Sequence, residues 1–275
     1  MMSMSVETPD VRSAERFETY REELHLHCYR MLGSVHDADD LVQETLTAAW
    51  QAREPENPRA WLYKIATNRC LNAIRDAKRR PPLAPQPPFE APEPSADNDV
   101  TWLEPNRQET IGLAFIAALQ RLPPRQTAAV VLVDVLDFTT AEAAEMLDVT
   151  PTAVKGLLQR ARAALGPPPA PPSADEQALA DRFARAFAAD DIDGVIALLT
   201  DDAWLAMPPA PHVYVGREAI AAFLRASAAY RTWRYEPTPT RVNGQPAFAL
   251  GADGLIALTT RSDGICALTR FLDTN

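Results

Sequence analysis

Ser34–Arg80 reads SVHDADDLVQETLTAAWQAREPENPRAWLYKIATNRCLNAIRDAKRR, an acidic segment followed by a basic one. In the first half, Asp37 reads as an N-cap, with Asp39 and Asp40 in a first turn where the helix dipole favours negative charge. Helical spacing puts Ala38, Leu41, Val42, Thr45 and Ala49 on one face, to be buried. Asp40, Gln43, Glu44 and Thr47 are left pointing outward. In the second half, Pro58–Arg80, the cations Arg59, Lys64, Arg69, Arg75, Lys78, Arg79 and Arg80 surround a stripe of Leu62, Ile65 and Ala66. Asn68 and Asn72 lie four apart on a common face. Amides beside cations suit hydrogen bonds to base edges with phosphate attraction nearby. Trp61 and Tyr63 could stack on unpaired bases. Trp61, beside Leu62 and four before Ile65, reads rather as core, and Tyr63 is left open.

The chain has 275 residues, enough for two or three domains. Its net charge of -10 and isoelectric point near 5.0 argue against indiscriminate nucleic-acid binding. Cations clustered in 59–80 and 155–162 still allow a specific reader. Cys28, Cys70 and Cys266 are widely spaced and read as reduced core thiols, which suits a cytoplasmic protein. No signal peptide, membrane span or cofactor is expected. His25, His27 and His36 lack a carboxylate or cysteine at ligand spacing, so no metal site is expected either.

Other stretches bear on organisation. Ala14–Leu32 reads as a helix packed on the acidic one. PPLAPQPPFEAPEPSADND is proline-rich and acidic, an extended tether rather than a packed element, and it runs into Val100–Pro105 (VTWLEP). Arg107–Leu122 and Pro124–Leu136 read as amphipathic helices parted at Leu122–Pro123–Pro124. In TTAEAAEMLDVTPTAVKGLLQRARAAL, Thr139 and Glu142 form a capping box, and Thr150–Pro151 opens a second helix after a short turn. Ala143, Leu147, Val154 and Leu158 would be the shared core, with Lys155, Gln159, Arg160 and Arg162 on the second helix: a helix-turn-helix signature.

After a second proline-rich spacer, Ala174–Asp190 and Ile192–Thr200 read as helices, Asp202–Met207 as a strand and Gly216–Ala229 as a helix. Strands follow at Trp233–Thr240, Ala247–Ala252, Leu255–Thr260 and Gly264–Phe271, an α+β domain. Asp202, Trp204 and His212 are candidate pocket residues in a domain that could hold a small-molecule ligand. No acid–base pair is fixed, so no catalytic residue is assigned.

The run MLGSVHDADDLVQETLTAAW…NPRAWLYKIATNRCLNAIRDAKRR resembles the second conserved region of extracytoplasmic-function sigma factors of bacterial RNA polymerase. The helix-turn-helix run is similar to their fourth region, and FARAFAADDIDGVIALLTDDAWLAMPPAP…YVGREAIAAFL resembles the SnoaL-like branch of the nuclear-transport-factor-2 superfamily. The resemblance implies a multidomain chain: an all-α region 2 bundle (13–80), a linker (81–106), an all-α region 4 (107–165), a second linker (166–173) and an α+β cone (174–275). It implies core RNA polymerase and promoter DNA as partners, no membrane, and an initiation factor that is not an enzyme. On this likeness Asp37, Asp40, Gln43 and Glu44 meet polymerase, while Asn57, Lys64, Asn68, Asn72 and Arg75 meet the minus-ten strand. Thr152, Lys155, Gln159, Arg160 and Arg162 meet the minus-thirty-five duplex, and Trp102 serves as an interdomain anchor. Gly156 and Leu157 depart from the family pattern inside the recognition helix. A ligand-sensing repressor and a cyclase-type enzyme fused to a DNA-binding module are the rival readings. The strand-capturing segment weighs against the first and the missing catalytic pair against the second.

Overall fold

The computed structural model describes residues 17–51, 55–77, 89–97, 103–106, 109, 112–165, 175–208, 210 and 212–272. The chain divides into two compact units, one of residues 1–81 and 122–166 and the other of residues 82–121 and 167–275.

In the first unit, α1 (Arg21–Leu32) ends at Gly33, whose φ of 75° is left-handed and whose N–H reaches the Tyr29 carbonyl at 2.7 Å. The chain turns at once into α2 (Val35–Trp50). Ser34, in extended backbone, accepts the Asp37 N–H at 3.1 Å and is the N-cap. Asp37 thus lies in the first turn and not at the cap expected of it. Ser34 wins because it directly follows the left-handed glycine, before the backbone turns helical. Next, α3 (Pro58–Ala77) opens on Asn57, whose Oδ1 accepts the Ala60 N–H at 3.1 Å, with proline at the first helical position.

The chain then passes through β1 (Ala96–Asp97) and α4 (Leu113–Arg121) of the second unit. It returns to the first with α5 (Pro124–Val130), continued by a π-helical turn over Val131–Val135. Leu136 N–H reaches back five residues to the Val131 carbonyl at 3.1 Å. Last come α6 (Thr140–Leu147) and α7 (Pro151–Leu165). The capping box is in place: Glu142 N–H donates to Thr139 Oγ1 at 3.2 Å, and Thr139 N–H to Glu142 Oε2 at 2.8 Å. Asp148 makes the turn with φ 51°, a conformation aspartate tolerates, and Thr150 Oγ1 caps α7 by accepting the Ala153 N–H at 3.2 Å. Ala143, Leu147, Val154 and Leu158 are all buried, as the spacing requires.

The second unit holds a seven-stranded sheet in the order β1-β3-β2-β7-β6-β5-β4. Its helices are α8 (Glu176–Ala188), α9 (Ile192–Ile196) and α10 (Arg217–Tyr230). Its strands are β2 (Leu199–Ala206), β3 (His212–Val215), β4 (Thr238–Val242), β5 (Gln245–Ala249), β6 (Leu255–Arg261) and β7 (Gly264–Phe271). β2 and β7 pair in parallel, and the other pairs among the described strands are antiparallel. Phe183, Phe187 and Phe248 from α8 and β5, with Tyr214 and Phe223, fill the space between helices and sheet. Gly264 starts β7 at φ 146°, where a Cβ would lie 2.8 Å from the Leu198 carbonyl, so only glycine fits.

Several boundaries differ from the sequence reading. β2 begins at Leu199, where a helix was expected to continue, because Ile192–Ile196 ends after little more than one turn. β3 was not foreseen. β4 starts at Thr238 rather than Trp233, and Asn243–Gly244, with φ of 50° and 68°, forms the two-residue hairpin turn to β5. The described part of the first linker is extended but packed. Ser95 N–H donates to the Val213 carbonyl at 2.9 Å, β1 pairs with β3, and Leu103 is 4% exposed. Asn106 and Asn243 bond reciprocally, at 2.9 and 3.0 Å, and the Leu113 N–H that opens α4 donates to Gln245 Oε1 at 2.7 Å. Proline removes donors, so a tether was expected; the non-proline residues nonetheless supply backbone groups to a sheet edge. Trp102 and the whole second spacer, 166–173, lie outside the described residues.

Candidate polymerase and promoter surfaces

Burial of Ala38, Val42, Leu46 and Ala49 fixes α2 against its neighbours and turns Asp37, Asp40, Gln43 and Glu44 to solvent. The face is a row of carboxylates and an amide near a helix N-terminus. Glu44 also pairs with Arg69 of α3.

On α3 the predicted minus-ten residues differ in circumstance. Asn57 is exposed but spends its side-chain oxygen on capping the helix. Lys64 donates to Asp148 Oδ1 at 2.7 Å, linking α3 to the turn between α6 and α7. Asn68 is half-buried and donates to the Lys64 carbonyl at 3.0 Å. Asn72 and Arg75 are exposed, Arg75 with its neighbour Asp76 at 3.3 Å. Exposed pairs of this kind stabilise by about 1 kcal/mol or less, so they can exchange partners.

Tyr63 is fully buried and cannot stack on bases. Its hydroxyl donates to Glu23 Oε2 at 3.1 Å, its ring meets Phe138 edge-on at 5.1 Å, and burial pushes its pKa upward. Arg59 lies over the same Phe138 ring at 4.5 Å. Trp61 is half-buried, with Phe17 6.3 Å away. Beneath α3, the His27 imidazole Nε2 and Thr67 Oγ1 share a buried hydrogen bond of 2.9 Å. Desolvation, helped by the Arg30 cation, lowers the His27 pKa to about 3. Among the described residues no cluster of potential ligands could hold a metal ion.

Helix α7 is held by Val154, Leu158 and Ala161. Thr152, Lys155, Gln159 and Arg160 are exposed on it, and their side chains form no hydrogen bond or ion pair among the described residues. Arg162 is exposed too but is engaged in a fork with Asp134, at 2.6 and 3.0 Å, which raises its pKa. The arrangement offers two cations, Lys155 and Arg160, and two polar side chains, Thr152 and Gln159, along one helix, as major-groove reading requires.

In the second unit, Asp202 is exposed and takes a bidentate bond from Arg261, at 2.6 and 2.9 Å, which holds its carboxyl well below the usual range. Trp204 and His212 are half-buried on β2 and β3. These three do not line the described cavity of this unit, which is formed around Arg231, Tyr235 and Arg270 instead. The missed signal was the dense Tyr-Arg-Thr-Trp-Arg-Tyr run at 230–235.

Comparison with known proteins agrees with this layout. Residues 16–80 match the Sigma-70 region 2 family, residues 112–165 Sigma-70 region 4, and residues 180–262 the SnoaL-like domain. ECF RNA polymerase sigma factor SigG of Mycobacterium tuberculosis is 38% identical over 94% of this chain and 80% of its own length. Sigma factor SigJ of the same organism is 30% identical over 92% of this chain and 89% of its own. The crystal structure of SigJ superposes with a TM-score of 0.68 at 26% identity, covering 94% of this chain and 96% of that one. With two sigma-70 regions in series, a matching third domain and relatives 30–38% identical over more than nine-tenths of its length, the chain belongs to the ECF RNA polymerase sigma factors, which direct the core enzyme to promoters.

Proposed function

We propose that initiation by this chain divides among three surfaces and is modulated by the SnoaL-like domain. Asp37, Asp40, Gln43 and Glu44 of α2 dock on core polymerase. Asn57, Lys64, Asn68, Asn72 and Arg75 hold the minus-ten strand, and Thr152, Lys155, Gln159, Arg160 and Arg162 read the upstream duplex. The observation that supports this most is charge segregation: carboxylates crowd the outward face of α2, whereas cations and amides crowd the outward faces of α3 and α7. The chain acts in the cytoplasm, catalyses no reaction of its own, and takes a small molecule only in its C-terminal domain.

Modulation rests on the linker. Ser95, Leu103 and Asn106 seat it on the sheet of the SnoaL-like domain, so the reach of the segment joining the two sigma regions depends on that seating. Trp102, next to Leu103, is the proposed anchor. Reversing Asp40→Lys should weaken core-enzyme binding at least severalfold while circular dichroism stays native; unchanged affinity would sink the docking assignment. Leu103→Asp should release the linker, seen as new protease sensitivity, and alter transcript yield in vitro. A released linker with unaltered yield would leave the domain without a modulating role.

A further inference from the structure

Two arginines are buried where a neutral side chain would be easier to place. Arg231 follows α10 with its side chain 5% exposed, and Arg270 lies on β7 at 8% exposure. Both line one cavity of about 80 Å³, walled by Phe89, Phe223, Tyr230 and Tyr235. The Tyr235 ring lies 4.1 Å from the Arg231 guanidinium carbon and 5.3 Å from that of Arg270.

Their hydrogen bonds are incomplete. Arg231 donates Nη2 to Asp190 Oδ1 at 2.7 Å and Nε to the Ser227 carbonyl at 3.3 Å, and Asp190 is shared with Arg234 at 3.7 Å. Arg270 donates to the Tyr235 hydroxyl at 2.7 Å, its one polar partner among the described residues. Arg231 Nη1 and Arg270 Nε are buried and bond to nothing among the described residues. A buried donor left unsatisfied costs roughly 1–3 kcal/mol, more on a charged group. Asp253 also lines the cavity, but its carboxylate takes the Trp233 indole N–H at 3.1 Å. The charged residues that line the cavity are thus two arginines, Arg231 and Arg270, and one carboxylate, Asp253.

We propose that this cavity binds a small anion built on a single aromatic ring, an aromatic carboxylate, with the carboxylate on the guanidinium groups of Arg231 and Arg270 and the ring among the aromatic walls. Guanidinium and carboxylate match in shape and form strong charge-assisted bonds. Aromatic walls favour a flat ring in offset or edge contact. Tyr230 and Trp233, each 50% exposed, form an apolar mouth. This deepens the ligand reading given above and rests on it, not on the docking assignments. Phe89 belongs to the linker, and its ring stands 5.5 Å from Phe223 and 5.9 Å from Tyr230, so an occupant touches the linker directly.

Isothermal titration of the full chain with benzoate and salicylate, against neutral benzamide, tests the idea. The carboxylates should saturate one site, with benzamide about tenfold weaker or more, the loss expected when a charge-assisted bond is removed. Arg270→Met should weaken salicylate to the same degree, while the remote Arg261→Met should not. Should Arg270→Met misfold, the carboxylate–amide comparison on the unaltered chain decides, and Tyr230→Ala at the rim should still lower affinity severalfold. Equal affinity for benzamide, or no saturable carboxylate binding up to about 10 mM, overturns the proposal. Transcription is read separately, so a failed titration leaves the promoter and linker assignments standing.

Discussion

Helices α3 and α7 carry similar side chains under different constraints. Below, α3 rests on polar contacts, Thr67 with His27 and Tyr63 with Glu23; above, Lys64 and Arg69 are paired with Asp148 and Glu44. α7 is fixed on its apolar underside by Val154, Leu158 and Ala161 and near its end by the Arg162–Asp134 pair, while Lys155, Gln159 and Arg160 face water. To touch nucleic acid, cations of α3 must exchange a protein partner for a phosphate or base, whereas Lys155 and Arg160 of α7 need only shed water, Arg162 alone being paired with Asp134. Duplex reading is ready-made, and strand holding is conditional.

The sharpest way to break this comparison is acid. His27 is neutral when folded, with its pKa depressed to about 3 from an unfolded value of 6.5. The unfolded chain binds the proton more readily, so stability is full above the unfolded value and falls as pH drops from 6.5 towards 3, by up to about 1.4 kcal/mol per pH unit. The first unit should therefore lose several kcal/mol across that window, and His27→Gln should flatten the slope in urea melts. An unchanged slope would mean that α3 is not anchored through this histidine. The next largest effect falls on DNA affinity. Arg160→Ala should cost holoenzyme binding to a promoter fragment about 1–3 kcal/mol. Lys64→Ala should cost about 1 kcal/mol or less, because the ion pair it gives up offsets the contact it would gain. A Lys64 effect equal to that of Arg160 would erase the distinction between the helices. The smallest effect is a gain. Gly156 sits within α7 with its nearest obstacle, Arg160 Nη1, 3.5 Å from an added Cβ. Gly156→Ala should stabilise the helix by about 1 kcal/mol, read by thermal melting, with duplex binding retained.

Periodicity and punctuation carried much of this fold. The α2 and α3 stripes, the Thr139–Glu142 box and the Thr150–Pro151 start are all local patterns, and local patterns survive in one dimension. What failed depended on neighbours far along the chain. Asp148 was read as turn chemistry, and nothing in 34–80 announces that Lys64 will reach it. Tyr63 sits among cations, yet Phe138 and Glu23 close over it. Asp37 and Ser34 are both good caps, and only the left-handed Gly33 decides between them. In the SnoaL-like domain the polar residues on predicted strands drew attention. The cavity instead gathers Arg231 and Arg270 from a helix end and a strand nearly forty residues apart, meeting only once the sheet has formed. Asn243–Gly244 was legible and overlooked, because the strand was expected to start and end too early.

Residues 95–97 occupy an outer rim of the sheet in the second unit. Ser95 takes the Val213 carbonyl with its N–H and the Val215 N–H with its hydroxyl oxygen. A foreign strand adding at β3 would need these same main-chain groups, so the linker and any such strand exclude one another. Because the linker is covalently held at both ends, its local concentration at that rim is on the order of millimolar, a threshold that a free peptide must exceed. The contact uses main chain and one hydroxyl, so it tolerates drift among the remaining side chains so long as the backbone stays extended. Protection against strand exchange is in this way a property of connectivity rather than of composition.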